Sequence, residues 1–590
     1  MSFKVFTLLF LFSISPLTYS NCIDKAENIL VSNKIQRVTS KMDDLNGSYF
    51  KILLDKKGKS NESGTIKIAS RDITPEENDV LVYPTAMASE DLMRSLPTFH
   101  YDQINNSENR KAAKNVSLWV KKMQAGTGSS LTRTEYLAQT LNISANDVKI
   151  GAKGTDLFIS IKHPLTGENT TISLAEAQII QLIYISKANK YSNILVHDIV
   201  GPETKKSLKE IWDKKSIINP SKSYRELLEE SNKINYSGTT FQGHLPTLTP
   251  ENEITFERQA PGGHGIFALE AIMAAYKPEL RPKSKNTLIS SIGNGEDLSS
   301  IPDENIVGLM KREKIAVAMI TTTKTENDLK GGQIAIAKTA DNETYTTIVE
   351  KAQAEQSNQL ELFEALGLRE KDNIAFFNTN MALFNYEVLT PKVNQLIELL
   401  GEDKFLQEIS PDLIQNWKEQ NGKKFLQLEG AMGSVILNLD RLYRKHFHEP
   451  LVSFINIERE KRTNFFSPIK TAFDFVLQFK SDRFKLNNKT MQLINNRPGV
   501  LPSISLSHKY YKDLSNTINA FNNTSLLKLD SLKVDGLVHF SDLELIGKIE
   551  VINKSDSLVD LSLFLKSVTI KDQKIIINED LEISVEQITK

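Results

Sequence analysis

One cysteine in 590 residues, Cys22, leaves no partner for an internal disulfide, so nothing staples this chain covalently. An excess of one charge is missing too. Lys and Arg number 72 against 73 Asp and Glu, for a formal net charge of -1. A chain so balanced carries no global field for nucleic acid or an anionic membrane, although local basic pockets for phosphate remain open to it. Long apolar runs are absent beyond the N-terminus, so no stretch there reads as a stable membrane span.

What is present is ordinary globular composition, 40% hydrophobic and 25% charged, at a length that suggests two or three domains. The N-terminus stands apart. Lys4 precedes the apolar run Val5 to Ile14, followed by Pro16 and Thr18-Tyr19-Ser20. A basic start, a short apolar core and small residues at the end read as a cleavable secretory signal over residues 1–20. The expectation is an exported protein, periplasmic or secreted. Cleavage after Ser20 would leave Cys22 near the mature N-terminus.

Residues 21–105 are polar and rich in Lys, Asn and Ser, with few periods and no chemistry to assign. From 106 to 490, short apolar runs alternate with amphipathic stretches. Ser173 and Glu176 form a capping box that opens a helix to Ala188. Asn193–His197 and Ile315–Thr321 read as strands, and Thr204–Lys214 as a charged helix. This alternation predicts α/β layers around a mainly parallel sheet. In the tail, 491–590, apolar pairs begin at Leu532, Val538, Leu543 and Ile549. Spacings of 6, 5 and 6 suit short strands stacked as a β-helix, with an antiparallel meander as the alternative.

Several segments have the residue types that phosphate and sugar chemistry needs. Met123–Leu131 (MQAGTGSSL) follows the strand candidate Val116–Val120. Glycines after a strand let backbone N–H groups approach a nucleotide. The stretch is neither a Walker sequence nor a GxGxxG fingerprint, and alone it is more often just a turn. Ala260–Phe267 (APGGHGIF) sets three glycines around His264, and a lone histidine there is more often a structural hydrogen-bonder than a base. Lys324–Gly332 (KTENDLKGG) gathers two lysines, an aspartate and paired glycines, which suits phosphate or a solvated loop. Phe376–Asn380 (FFNTN) offers asparagine amides that can read sugar hydroxyls or form a turn. Ser467–Asp474 (SPIKTAFD) holds a lysine among apolar residues, which needs an anionic partner from a ligand or from the protein.

Taken in order, these segments resemble the UDP-glucose pyrophosphorylase family. MQAGTGSS is similar to its LNGGLGTS loop, and Gly151–Ile159 (GAKGTDLFI) to GCKGPKSLI. Phe241–Pro246 (FQGHLP) resembles the family's uracil-reading segment, and APGGHG its PPGHG loop. KTENDLKGG resembles KTRADVKGG. Val349–Gln353 (VEKAQ) is similar to VEIAQ, FFNTN to IFNTN, and Gln427–Gly433 (QLEGAMG) to QLETAVG. SPIKTAFD resembles LPVKTTSD, and Leu529–Gly536 (LDSLKVDG) resembles the LDHLTVSG that opens a C-terminal left-handed β-helix. The likeness runs collinearly from about residue 115 to 555.

The resemblance implies a GT-A-like α/β nucleotidyltransferase domain with a mixed, mainly parallel sheet, and a C-terminal left-handed β-helix. It implies formation of UDP-glucose and pyrophosphate from UTP and glucose 1-phosphate, with Mg²⁺. Ala125, Gly126, Gln242, Gly263, His264 and Gly332 would bind the nucleotide. Glu350, Asn378 and Asn380 would hold the hexose, and Lys470 a phosphate. Two positions depart from the pattern. The family's phosphate-binding lysine falls on Asp156, which would repel a triphosphate, with Lys153 or Arg133 as the compensating cation. The residues from Thr132 to Ile150, almost absent from the family, would form a helix. The family's metal-binding Asp falls on Gly293, leaving Glu296 and Asp297 as candidate metal ligands. The alternatives are an impaired relative that binds a nucleotide sugar, or a transferase for another sugar 1-phosphate.

Overall fold

The computed structural model describes residues 44–588, apart from 60–65, 71–78, 129, 329–330, 340–342, 367, 369–375, 421, 460–464, 498, 500 and 566–567. Residues 1–20, expected from the sequence to be a signal, and Cys22 lie outside the described residues.

A 12-stranded mixed sheet forms the body. Its middle is parallel: Thr287–Asn294, Val116–Gln124, Asn193–Val200 and Ile234–Phe241 lie side by side in that order. The central strand, Val116–Gln124, is buried along all 9 residues, as expected where layers cover both faces. Alternate side chains enter opposite cores. Trp119 joins one apolar cluster, while Leu118 and Val120 join the other. Lys121 and Lys122 are also buried there. They are tolerated because Glu270 lies 3.1 Å from one and Asp198 3.2 Å from the other.

Beyond Thr287–Asn294 the sheet becomes mixed, with Phe376–Asn385 antiparallel to its neighbours. Phe376–Asn385 pairs with that strand, and borders Gln333–Lys338 and Val317–Thr323. Val317–Thr323 leads on through Val452–Ile457 to Thr98–His100, and Val80–Pro84 and Ile66–Ile68 extend the Gln333–Lys338 edge. Three strands of the sheet therefore come from the polar N-terminal region.

The predicted helix after Ser173 spans Leu174–Lys187, and its capping box is intact. Ser173 N donates to Glu176 Oε2 at 3.0 Å, and Glu176 N donates to Ser173 Oγ at 3.2 Å. Within Thr132–Ile150 the chain forms the helix Thr134–Leu141.

In the C-terminal part, Ser503–Leu506, Leu529–Asp535, Glu544–Asn553 and Thr569–Ile577 stack in parallel, and Val538–His539 pairs in parallel with Val559–Asp560. Parallel stacking excludes a plain antiparallel meander; only the last strand, Ile583–Gln587, reverses. One expectation is corrected. The apolar pairs at Leu543 and Ile549 do not start separate strands but flank and enter a single strand, Glu544–Asn553. Gly547, at φ 70°, forms a bulge between them against Thr569–Ile577.

Candidate functional site

Four parallel strands end at one level, the place where α/β sheets bind ligands. Gly295 N donates to Met123 O at 3.0 Å, and Gln242 N donates to Val200 O at 2.8 Å. The Ala125–Gly128 turn, Gln242 and Glu296 thereby emerge on the same rim.

Between Phe241–Pro246 and Ala260–Phe267, Gln242 Nε2 donates to Gly263 O at 2.9 Å, which latches two separate segments together. Gly263 has φ 80°, and a Cβ there would lie 2.6 Å from Gly430 O. His264 is exposed and precedes the buried helix Gly265–Tyr276, its ring 6.0 Å from that of Phe267.

The segments that carry Gly332, Glu350, Asn378 and Asn380 also meet. Asn378 N donates to Gly332 O at 2.9 Å, Asn378 Nδ2 donates to Asn380 Oδ1 at 3.0 Å, and Asn380 holds the left-handed conformation at φ 56°. A Cβ on Gly332 would lie 2.5 Å from Glu350 Oε1, so a side chain there would displace that carboxylate. Burial pushes the Glu350 carboxyl up to about 7, against the pull of Lys470. One segment joins the two groups. Gly430 packs on Gly263, and a Cβ on Gly433 would sit 3.2 Å from Asn378 Nδ2.

Two cations lie beside the glycine turn. Lys153 packs its aliphatic stem under Gly128 and donates to Ile469 O at 2.6 Å, with Glu296 Oε1 at 3.4 Å. Lys470 follows Ile469, the residue that accepts from Lys153, and Ser130 Oγ donates to Lys470 O at 3.3 Å. The Lys470 ammonium is partly exposed, 3.8 Å from Asp328 Oδ1 and 5.1 Å from the Phe377 ring. Burial disfavours the Asp328 charge, yet Arg459 and Lys470 hold its carboxyl below the usual range. Arg459, which bonds Asp328, was not singled out in the sequence; it follows a strand and belongs to no motif.

Three expectations change. Arg133 is 2% exposed and is turned away from the rim. It donates to Thr127 O at 2.7 Å, Gly151 O at 3.0 Å and Leu131 O at 3.3 Å, and pairs with Asp156 Oδ2 at 2.7 Å. It braces the glycine turn and is corrected from phosphate ligand to positioning residue. Asp156 in turn is buried and accepts from Gly151 N at 2.9 Å, so it does not oppose a triphosphate. Asp297 is corrected as a metal ligand. It is 2% exposed and accepts from Ser299 N at 2.7 Å and Ser467 N at 3.2 Å. Burial pushes its carboxyl up to about 7. Lys324 also points inward, donating to Phe363 O at 2.7 Å and Glu364 O at 2.9 Å. Lys330 lies outside the described residues.

Among the described residues, no group of three or more His, Cys, Asp and Glu side chains could hold a metal ion. No described helix is long and apolar enough to cross a membrane.

The family model described as UTP–glucose-1-phosphate uridylyltransferase matches residues 221–545, more than half of the chain. The UTP–glucose-1-phosphate uridylyltransferase of Astragalus penduliflorus is 27% identical over 354 residues, covering 59% of this chain and 66% of that protein. That of Solanum tuberosum is 29% identical over 326 residues, covering 54% and 58%. The chain thus spans less than two thirds of the length of these curated relatives. Among solved structures, the UDP-glucose pyrophosphorylase of Leishmania major superposes with a TM-score of 0.62 at 19% identity, over 92% of this chain and 99% of that one. The UDP-glucose phosphorylase of Trypanosoma brucei superposes at 0.56 and 20% identity, over 79% and 88%. With the collinear glycine turn, the glutamine latch and the asparagine pair on one rim, the matched span shows that the chain belongs to the UTP–glucose-1-phosphate uridylyltransferase family.

Proposed function

We propose that the protein joins UTP and glucose 1-phosphate into UDP-glucose and pyrophosphate. One observation carries this reading: the Gly430–Gly433 segment couples the Gln242–Gly263 latch to the Asn378 pocket, while Lys153 and Lys470 meet beside the glycine turn. That arrangement supports a uridine at one end, a hexose at the other and phosphates between. A phosphate oxygen of the sugar phosphate attacks the α-phosphorus of UTP. The new P–O bond forms as the α–β bridge breaks, and pyrophosphate leaves with that electron pair. The attacking oxygen is already ionised, so no general base is required. Catalysis then rests on positioning and charge neutralisation.

Magnesium fits this site in one limited way. Glu296, beside Lys153, is the described carboxylate next to the glycine turn that could share an ion with nucleotide phosphates, because Asp297 is committed to backbone N–H groups. When bound there, the ion would add neutralisation of phosphate charge. Incubation of the mature chain with UTP, glucose 1-phosphate and Mg²⁺ should release pyrophosphate.

A second reading draws on Gly293, which brings no carboxylate to the rim; a Cβ there would sit 3.0 Å from Ser300. It supports a relative that binds a nucleotide sugar without turnover. Heat-stabilisation by UDP-glucose without pyrophosphate release would favour it. Another sugar 1-phosphate is tested by substituting the sugar in the same assay. The parallel C-terminal stack supports a left-handed β-helix, and residues 1–20 support export to a periplasm, the medium or a host compartment that supplies UTP. Recovery of the chain from cytosol with residues 1–20 intact would refute export.

A further inference from the structure

The helix Asp44–Lys59 belongs to the region without motifs, yet it lies directly beneath the uridine-reading segments. Its inner stripe is Asn46, Tyr49, Phe50 and Leu53, each 3% exposed or less. Leu53 and Phe50 enter the apolar core, while the first turns reach the site. Tyr49 Oη donates to Gly262 O at 3.0 Å. Three glycines close around that phenol. A Cβ on Gly265 would lie 2.6 Å from Tyr49 Oη and one on Gly262 3.0 Å from Tyr49 Cε1, while one on Gly430 would run into the hydroxyl. One turn earlier, a Cβ on Gly243 would lie 2.8 Å from Asn46 Nδ2. Gly243 follows Gln242, and Gly262 precedes Gly263, so a single helix supports both halves of the Gln242–Gly263 latch.

We infer that Tyr49 and Asn46 are positioning residues for nucleotide recognition: the helix holds the Gln242 and Gly263 backbones at the separation a uracil edge requires. The glycines of the Gly262–Gly265 turn and Gly430 serve this support from below, in addition to any close approach of ligand from above. The inference rests on the uridine reading of these segments. It assigns neither residue a contact with substrate.

The test uses the full mature chain with Tyr49→Phe and, separately, Asn46→Ala. Tyr49→Phe keeps the ring and removes the bond to Gly262 O. Calorimetric affinity for UMP, and KM for UTP, should weaken about tenfold, the worth of one buried hydrogen bond. KM for glucose 1-phosphate and kcat should stay within about twofold, and the thermal midpoint within about 4 °C. Leu53→Ala, on the same helix but away from the latch, should lower the midpoint without this selective loss. Equal changes in both KM values, or unchanged UMP affinity, would overturn the inference. A wild-type chain that binds UMP but releases no pyrophosphate sinks the turnover reading alone, and the UMP comparison still decides. A wild-type chain with no affinity for UMP overturns both.

Discussion

Three carbonyl oxygens and one carboxylate surround the guanidinium of Arg133, and none belongs to a ligand. Removing one member of such a buried pair strands the other charge. Asp156→Ala should therefore cost about 3–5 kcal/mol in urea unfolding, while the double change Arg133→Met with Asp156→Leu should recover most of it. Asp156→Lys would set two cations together in the interior; a folded and more active Asp156→Lys protein would show that this pairing is wrong. Lys470→Ala acts at the rim instead. It should lower kcat for pyrophosphate release by about 10²-fold with little change in urea midpoint, because Arg459 still neutralises Asp328. The sequence located Lys470, Gln242 and the asparagines through their neighbours. It misplaced Arg133 and Asp297, because a motif carries no information about which way a side chain turns. That direction is set by distant carbonyl and N–H groups such as Gly151 O and Ser467 N.

At the scale of single elements, the loop that follows Thr287–Asn294 should have a pH signature. Folded Asp297 keeps its proton up to about pH 7, whereas the unfolded chain releases it near pH 4. Its contribution to stability is thus full below about pH 4 and is lost as pH rises toward 7. Glu350, also held up to about 7, adds to the same fall. Asp297→Asn should flatten part of that decline in the urea midpoint; an unchanged slope would mean that the folded carboxylate is already ionised. Elements with a local signal were legible. The Ser173–Glu176 box and the apolar run Asn193–His197 declared themselves through capping and β-branched content. Ile66–Ile68 and Thr98–His100 did not, because three residues give no period, and the partner of Thr98–His100 lies far along the chain at Phe454.

Across the whole molecule, the C-terminal part reaches back to the rim. Thr132 N donates to Lys512 O at 3.1 Å and Leu514 N donates to Thr132 O at 2.9 Å, next to the Arg133 brace. Asn327 Nδ2 donates to Pro502 O at 2.8 Å, and Ile504 N donates to Asn327 Oδ1 at 3.0 Å, beside Asp328. The helix Ala472–Phe479, which begins after Lys470, shares its apolar cluster with the parallel stack. Deletion of residues 529–590 should therefore strip the cover from Phe473, Val476 and Leu477, and remove pyrophosphate release together with cooperative unfolding. Full activity in a soluble deletion would show that the apolar cover over Phe473, Val476 and Leu477 is dispensable. The contact between Tyr49 and the glycines has an evolutionary consequence. Positions 49 and 265 fit as one pair, because the phenol occupies the volume a side chain at 265 would need. Across descendants of this chain, a residue larger than glycine at 265 should arise only after position 49 has become smaller, so the order of substitutions at these two sites is constrained by volume.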